Sequence, residues 1–409
     1  MTPSDGQWQN ATVNAEATRT IDLLDGAFYT DGPYETYAWM RDNAPLYWDS
    51  INELWGVSRY ADVVEIEKRK DVFINSDQEK GGYRPNIPAD PAIIGLDDPI
   101  HHVRRNLVSR RFTPKAVAGW EGDIRTKVTQ LIDGVQAKPG PAEIVGDLAA
   151  PLPAMMIGRL LGFPEDRWRD LQEWSEKTIA LGGGPRYHDE AGMIAVTEFF
   201  QTAVELHAEK LRCPADDVMT VWTRSVVDGK PLDADTVAMD CLLLLDGGAE
   251  TTRTVIARTL LNLIANPDEW SKLKSGADLT VAVEEFIRYV TPIHNMCRVA
   301  STDYDIGGET VRKGQQVVLM YGSANRDPHV FDEPERFDVT RQPNPQIAFG
   351  FGTHFCLGAA LARTEIRIFF EELVSRVDTL ALASGTVPVE MPNAFVYGLR
   401  SAYVDFVFS

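Results

Sequence analysis

A chain of 409 residues with 44% hydrophobic and 24% charged residues has ample material for a folded core, which excludes disordered and collagen-like classes. Forty basic against 60 acidic residues give a net charge of −20, which repels phosphate backbones and anionic lipid surfaces, so no nucleic-acid partner is expected. Four cysteines without a CxxC pair exclude a disulfide scaffold and fit a reducing compartment.

Residues 1–20 read as a loose polar arm, with neither the charged nor the apolar part of a secretory signal. Residues 21–409 show no internal repeat and no low-complexity linker, so one domain is expected there. No apolar run approaches the roughly 20 residues of a membrane helix, and a cytoplasmic protein without a membrane span is expected.

Apolar residues recur at helical spacing over residues 34–41 and 60–70, with a short strand at 55–58 between them. Gly81, Gly82 and the prolines at 85, 88, 91 and 99 exclude helix and predict a long loop, a kind of segment that often forms a lid or binding wall. Helical patterns follow at 101–111, 120–136 and 151–161, and others continue to residue 207. The longest starts at an N-cap Asp233 or Asp235 and ends at Asn266-Pro267, about 45 Å at 1.5 Å per residue. It is apolar on most sides through Leu242 to Leu245, which places it in the centre of the molecule. A helix at 279–291 precedes short strands at 304–306, 310–311 and 316–320. A last helix follows Cys356, and strands return at the C-terminus. The predicted fold class is mainly α with a minor β part.

Cys213, Cys241 and Cys297 read as small buried hydrophobes, since nothing around them activates a thiol. Cys356 differs. It lies in Phe349-Gly350-Phe351-Gly352-Thr353-His354-Phe355-Cys356-Leu357-Gly358, whose glycines let backbone approach a flat ligand closely. A helix starting near Leu357 favours a thiolate at its N-terminus. Phe355 stands where a dinucleotide fingerprint needs its third glycine, which excludes the nucleotide reading.

This segment resembles the haem-binding loop of the cytochrome P-450 superfamily, F-G-x-G-x-H-x-C-x-G, at every fixed position. The resemblance implies a P-450 fold, with haem b buried between the long central helix and the Cys-bearing loop. It makes Cys356 the axial ligand of the haem iron, sets Phe349 and Gly350 beside the cofactor, and makes O2 the co-substrate.

Within the central helix stands Gly247-Gly248-Ala249-Glu250-Thr251-Thr252. Two glycines there cost about 1 kcal/mol each relative to alanine, so a kink or a close ligand is expected. Glu250 and Thr251 match the family's acid-alcohol pair for proton delivery, with Thr252 the second candidate hydroxyl. Glu285 and Arg288 are spaced for an ion pair on one helix face. They resemble the family's E-x-x-R element, which implies a structural triad completed by Arg336 in Pro334-Glu335-Arg336-Phe337. His101 and Arg105 match the family's H-x-x-x-R, with Arg298 and His354 at the remaining anchor positions for the two haem propionates.

No flavin, nicotinamide or iron–sulfur signature is present, so electrons must come from separate proteins, a ferredoxin and its reductase. Arg104, Arg105, Arg110, Arg111 and Lys115 form a basic run that is either a solvated helix face or a dock for an acidic ferredoxin.

The predicted substrate wall is apolar: Ile93, Ile94 and Leu96 in the loop, Leu243, Leu244 and Gly247 on the central helix, then Ile293, Met296, Phe395 and Val396. Residues 25–29, 81–85, 147–153 and 295–298, with the Cys loop, resemble bacterial steroid C26/C27 monooxygenases of actinobacterial sterol catabolism. That likeness implies hydroxylation of the terminal methyl of a cholesterol or cholestenone side chain. Branched fatty acids or terpenoids suit the same apolar residues. Outside enzymes, the alternative is a haem or lipid carrier or sensor, against which Glu250-Thr251 argues.

Overall fold

The computed structural model describes residues 19–88 and 91–409, so the expected N-terminal arm falls outside it except for Arg19 and Thr20. Helix Ala234–Ala265 spans 32 residues and begins at Asp233, whose side chain accepts from the Thr236 amide at 2.8 Å. Helices Pro151–Leu161, Trp168–Ala180, Glu190–Arg212, Leu279–Val290 and Ala359–Arg376 pack on it. It is central because buried apolar residues recur around most of its circumference, from Val237 and Cys241 to Ile256 and Leu263.

The larger sheet has five strands in the order Leu46–Asp49, Leu54–Val57, Gln316–Met320, Asn295–Ala300, Phe73–Ile74. Leu54–Val57 and Gln316–Met320 run parallel, and the other neighbours are antiparallel. The architecture is mainly α with a minor β part. Sequence pattern does not predict Asn295–Ala300, because every residue but Met296 is buried and the strand lacks a polar alternation. That strand carries Arg298 into the site.

Among its described residues, the long loop before helix Ile100–Ser109 contains a single turn of 3-10 helix, Ile93–Gly95. Asp240 of the central helix ties it down, accepting from the Ile93 amide at 2.8 Å and pairing with the Arg104 guanidinium. Arg104, expected on a solvated face, is therefore buried. Cys241 and Cys297 are buried as expected, whereas Cys213 is exposed at the end of Glu190–Arg212. Among the described residues, no helix is long and apolar enough to cross a membrane.

Candidate active site

The Cys loop is held by its own backbone. The Gly350 amide donates to Ile347 O and the Cys356 amide to Phe349 O, each at 2.9 Å. Gly350 and Gly352 have φ of +72° and +70°, and a Cβ at Gly352 would stand 2.8 Å from Glu67 O. Only glycine fits there without strain. Cys356 thus emerges from a fixed turn ahead of Ala359–Arg376, a helix that starts two residues later than Leu357. Burial pushes the Cys356 thiol up, while the Gly358 and Ala359 amides and the Arg105 and Arg363 guanidiniums pull it down. Those four groups stabilise sulfur as an anion once a cation is bound to it.

A cavity of about 450 Å³ separates this loop from the central helix. Phe349, Gly350 and Cys356 line it from the loop, and Gly247, Thr251 and Thr252 from the helix. The two helix glycines have different causes. A Cβ at Gly247 would meet nothing within 4 Å, so that residue leaves room in the cavity; at Gly248 it would lie 2.9 Å from Ile157, so that residue admits helix Pro151–Leu161. The helix runs unbroken through both.

Thr251 Oγ1 donates to Gly247 O at 2.8 Å. Glu250, about 100° around the helix from Thr251, does not reach the cavity wall. Its buried carboxylate lies 3.0 Å from the Arg253 guanidinium, which also reaches Glu176 at 3.2 Å. A second buried acid, Glu365, does line the cavity; burial pushes its carboxyl up to about 8, against a hydrogen bond with Thr252.

His101, Arg105, Arg298 and His354 converge on the same cavity. The two ring centroids are 4.1 Å apart; buried His101 has Asp98 3.5 Å from Nδ1, and its Nε2 has no hydrogen-bond partner. Burial, then Arg298, His101 and Arg105, push His354 down to about 2; burial and then Arg105 push His101 down as well. An unpartnered imidazole nitrogen beside two guanidiniums forms a cradle for carboxylates. The two propionates of a haem fit it, and Cys356 fits the iron. Arg298 is held from behind by Glu67, at 2.7 Å, whose carboxylate also accepts from the Tyr321 hydroxyl.

The cytochrome P450 family profile matches residues 193–402. A steroid C26-monooxygenase of Mycobacterium tuberculosis is 39% identical over 395 residues, covering 94% of this chain and 97% of its own. The chain is a cytochrome P450. It is accordingly a monooxygenase that uses haem b and O2, which sets aside the carrier or sensor reading. Bound through sulfur, haem supplies the electron-rich iron that activates O2. The putative cytochrome P450 YjiB of Bacillus subtilis is 33% identical, over 93% of this chain and 96% of its own. Mycobacterium marinum CYP268A2, solved with pseudoionone, superimposes with a TM-score of 0.87 at 30% identity, over 96% of this chain and 100% of its own. Bacillus megaterium CYP109E1, solved with testosterone, gives 0.83 at 32%, over 91% and 97%.

Of the wall expected for this P450, Ile93, Ile94, Leu243, Leu244, Gly247, Ile293, Met296 and Phe395 line the cavity. Leu96 and Val396 do not. Leu96 lies beyond the Ile93–Gly95 turn, and Val396 is turned away from its neighbour Phe395, fully buried and bridged to Ile293.

Glu285 and Arg288 form a fully buried pair at 2.7 Å. Arg336 does not complete it with its side chain, which is half exposed and meets Glu333 at 3.0 Å. The third side chain is Arg341, 3.1 Å from Glu285, while Arg336 offers only its carbonyl to Arg288. The reason is chain direction: the segment turns back after residue 336 and returns Arg341 to the pair. Sequence reasoning also missed Glu67, Asp246 and Glu365. Asp246 alone carried a local signal, a carboxylate closing an apolar run beside the glycine pair.

Proposed function

We propose that this P450 hydroxylates the terminal methyl of a cholesterol or cholestenone side chain, taking electrons from a ferredoxin. One oxygen atom of O2 enters the C–H bond and the other leaves as water, with two electrons and two protons consumed. The observation that carries the reading is the match, over 94% of the chain, to mycobacterial proteins named steroid C26-monooxygenase at 37–39% identity. The apolar wall supports it, because an unactivated methyl must be selected by position rather than by reactivity. Titration of the ferric protein with cholestenone is expected to convert the iron from low to high spin at micromolar sterol, and turnover to oxidise the side-chain end. High-spin conversion by branched fatty acids or terpenoids, with none by sterols, would contradict it.

In this reading His101, Arg105, Arg298 and His354 hold the propionates. Thr251 Oγ1 is the cavity-side hydroxyl of the proton relay, and Glu250, which faces Arg253 and through it the partly exposed Glu176, is the acid that would recharge it from the surface side. Burial raises the pKa of Glu250, which suits a group that gives up and regains a proton. Thr251→Ala is expected to keep O2 uptake and electron consumption while product per electron pair falls several-fold. An unchanged ratio would move the role to Thr252 or Glu365.

For the electron donor, the basic run is smaller than its sequence implies. Arg104 is buried against Asp240 and Arg111 pairs with Asp216 at 2.7 Å, which leaves Arg110 and Lys115 exposed. Lys68 and the exposed rings of Phe351 and Phe355 complete a basic and aromatic rim on the Cys356 side, suited to an acidic ferredoxin.

A further inference from the structure

Asp246 is a buried carboxyl in the cavity wall, set on the central helix among apolar residues and away from the polar groups of the Cys-loop side. It is 6% exposed, lies one residue before Gly247, and shares its part of the cavity with Ile179, Met239 and Leu242. Its Oδ1 is 2.7 Å from Thr178 Oγ1, which is also 2.8 Å from Trp174 O. One hydroxyl proton cannot serve two acceptors. Both contacts become hydrogen bonds when Thr178 donates to Trp174 O and a neutral Asp246 carboxyl donates to Thr178. Oδ2 then remains an acceptor with no hydrogen bond at good geometry among the described residues, although the buried Ser175 hydroxyl also pulls on this carboxyl. If the carboxyl is ionised instead, Oδ2 is again an acceptor.

We infer that Asp246 determines specificity by accepting a hydrogen bond from a substrate hydroxyl placed part-way along an otherwise apolar molecule. Asp246 precedes Thr251 by five residues, about 7.5 Å along the helix axis. The hydroxyl it reads therefore lies at a comparable distance from the carbon oxidised beside Thr251. In a sterol attacked at a side-chain methyl, the ring A oxygen lies at the far end of the molecule. Asp246 instead meets the region of rings C and D. The inference rests on the proposed reading of the cavity as the seat of a long apolar substrate and adds to it a required polar group.

Burial, and then Glu250, push the Asp246 carboxyl up to about 7, against the pull of Thr178, Arg84 and Ser175. A carboxyl with so little support is costly to bury. Its removal leaves Thr178 bonded to Trp174 O, and the buried Ser175 hydroxyl lacks a hydrogen bond at good geometry even with Asp246 present. A purely structural role would make Asp246→Leu destabilising; a recognition role predicts an unchanged or higher thermal midpoint.

The test compares holo wild type, Asp246→Asn and Asp246→Leu, with dissociation constants from calorimetry and from the iron spin state. Two matched pairs serve as ligands: cholestenone and its ring C hydroxylated derivative, and a branched fatty acid with and without a mid-chain hydroxyl. In wild type the hydroxylated member is expected to bind about tenfold more tightly than its partner. Asp246→Leu should bring that ratio to within about twofold, and Asp246→Asn, which keeps an acceptor, should retain most of it. No preference in wild type for either pair, a preference that survives Asp246→Leu, or a lowered thermal midpoint in that variant would overturn the inference. If neither sterol binds while the fatty-acid pair shows the preference and its loss, the steroid reading fails and the role of Asp246 stands.

Discussion

Replacing Glu285 with alanine is expected to cost about 3 to 5 kcal/mol of stability, read from urea unfolding of the ferric protein, because it leaves a buried guanidinium without its counter-charge. Arg288 is fully buried and donates to Asn325 O at 2.8 Å and Pro334 O at 2.9 Å as well as to Glu285. Glu285 in turn accepts from the Asp338 amide at 2.9 Å, from Arg341 at 3.1 Å and from Asn344 at 3.2 Å. The pair thus fixes the irregular segment that leads into the Cys loop. Asn325 completes the link, its Oδ1 accepting from the Ile347 amide at 2.8 Å. Arg336→Ala, by contrast, removes an exposed side chain and should leave the urea midpoint nearly unchanged. Equal losses in the two variants would restore Arg336 to the triad.

Replacing Cys356 with histidine should have the largest effect on activity. The loop geometry comes from Gly350 and Gly352, and three of the four cradle residues, His101, Arg105 and Arg298, lie on other elements, so haem is still expected to bind. What changes is the axial ligand. The amides of Gly358 and Ala359 and the guanidiniums of Arg105 and Arg363 oppose the effect of burial on the sulfur and would favour its anion against iron, and a neutral imidazole would lose both that charge and its electron donation. Oxygen insertion is expected to fall to the level of free haem while the protein stays folded, measured as product per mole of bound haem. Activity within tenfold of wild type would contradict the assignment.

Local features of this chain were legible and distant ones were not. Three glycines, His354 and Cys356 fall within ten consecutive residues, so their joint role can be read without knowing the fold. The central helix was legible because its length and all-round apolarity exceed what a surface helix carries. The strand Asn295–Ala300 was not, since burial on both faces erases the alternation that marks a strand. Glu67 meets Arg298 across 231 positions, and no spacing rule reaches that far. Arg336 and Arg341 are indistinguishable in composition; a turn between them decides which side chain returns to Glu285. Helical phase divides Gly247 and Thr251, four residues apart on the cavity side, from Glu250, which faces Arg253. The apolar residues of the predicted wall were right in kind, and Leu96 and Val396 show that kind does not determine direction.

The most direct measurement is the coordination of the iron in the purified wild-type protein, by electron paramagnetic resonance of the ferric state and the carbon monoxide spectrum of the ferrous state. Sulfur ligation, abolished in Cys356→His, is the predicted result. Nitrogen or oxygen as the protein ligand in freshly prepared, fully haem-loaded wild type would contradict the account.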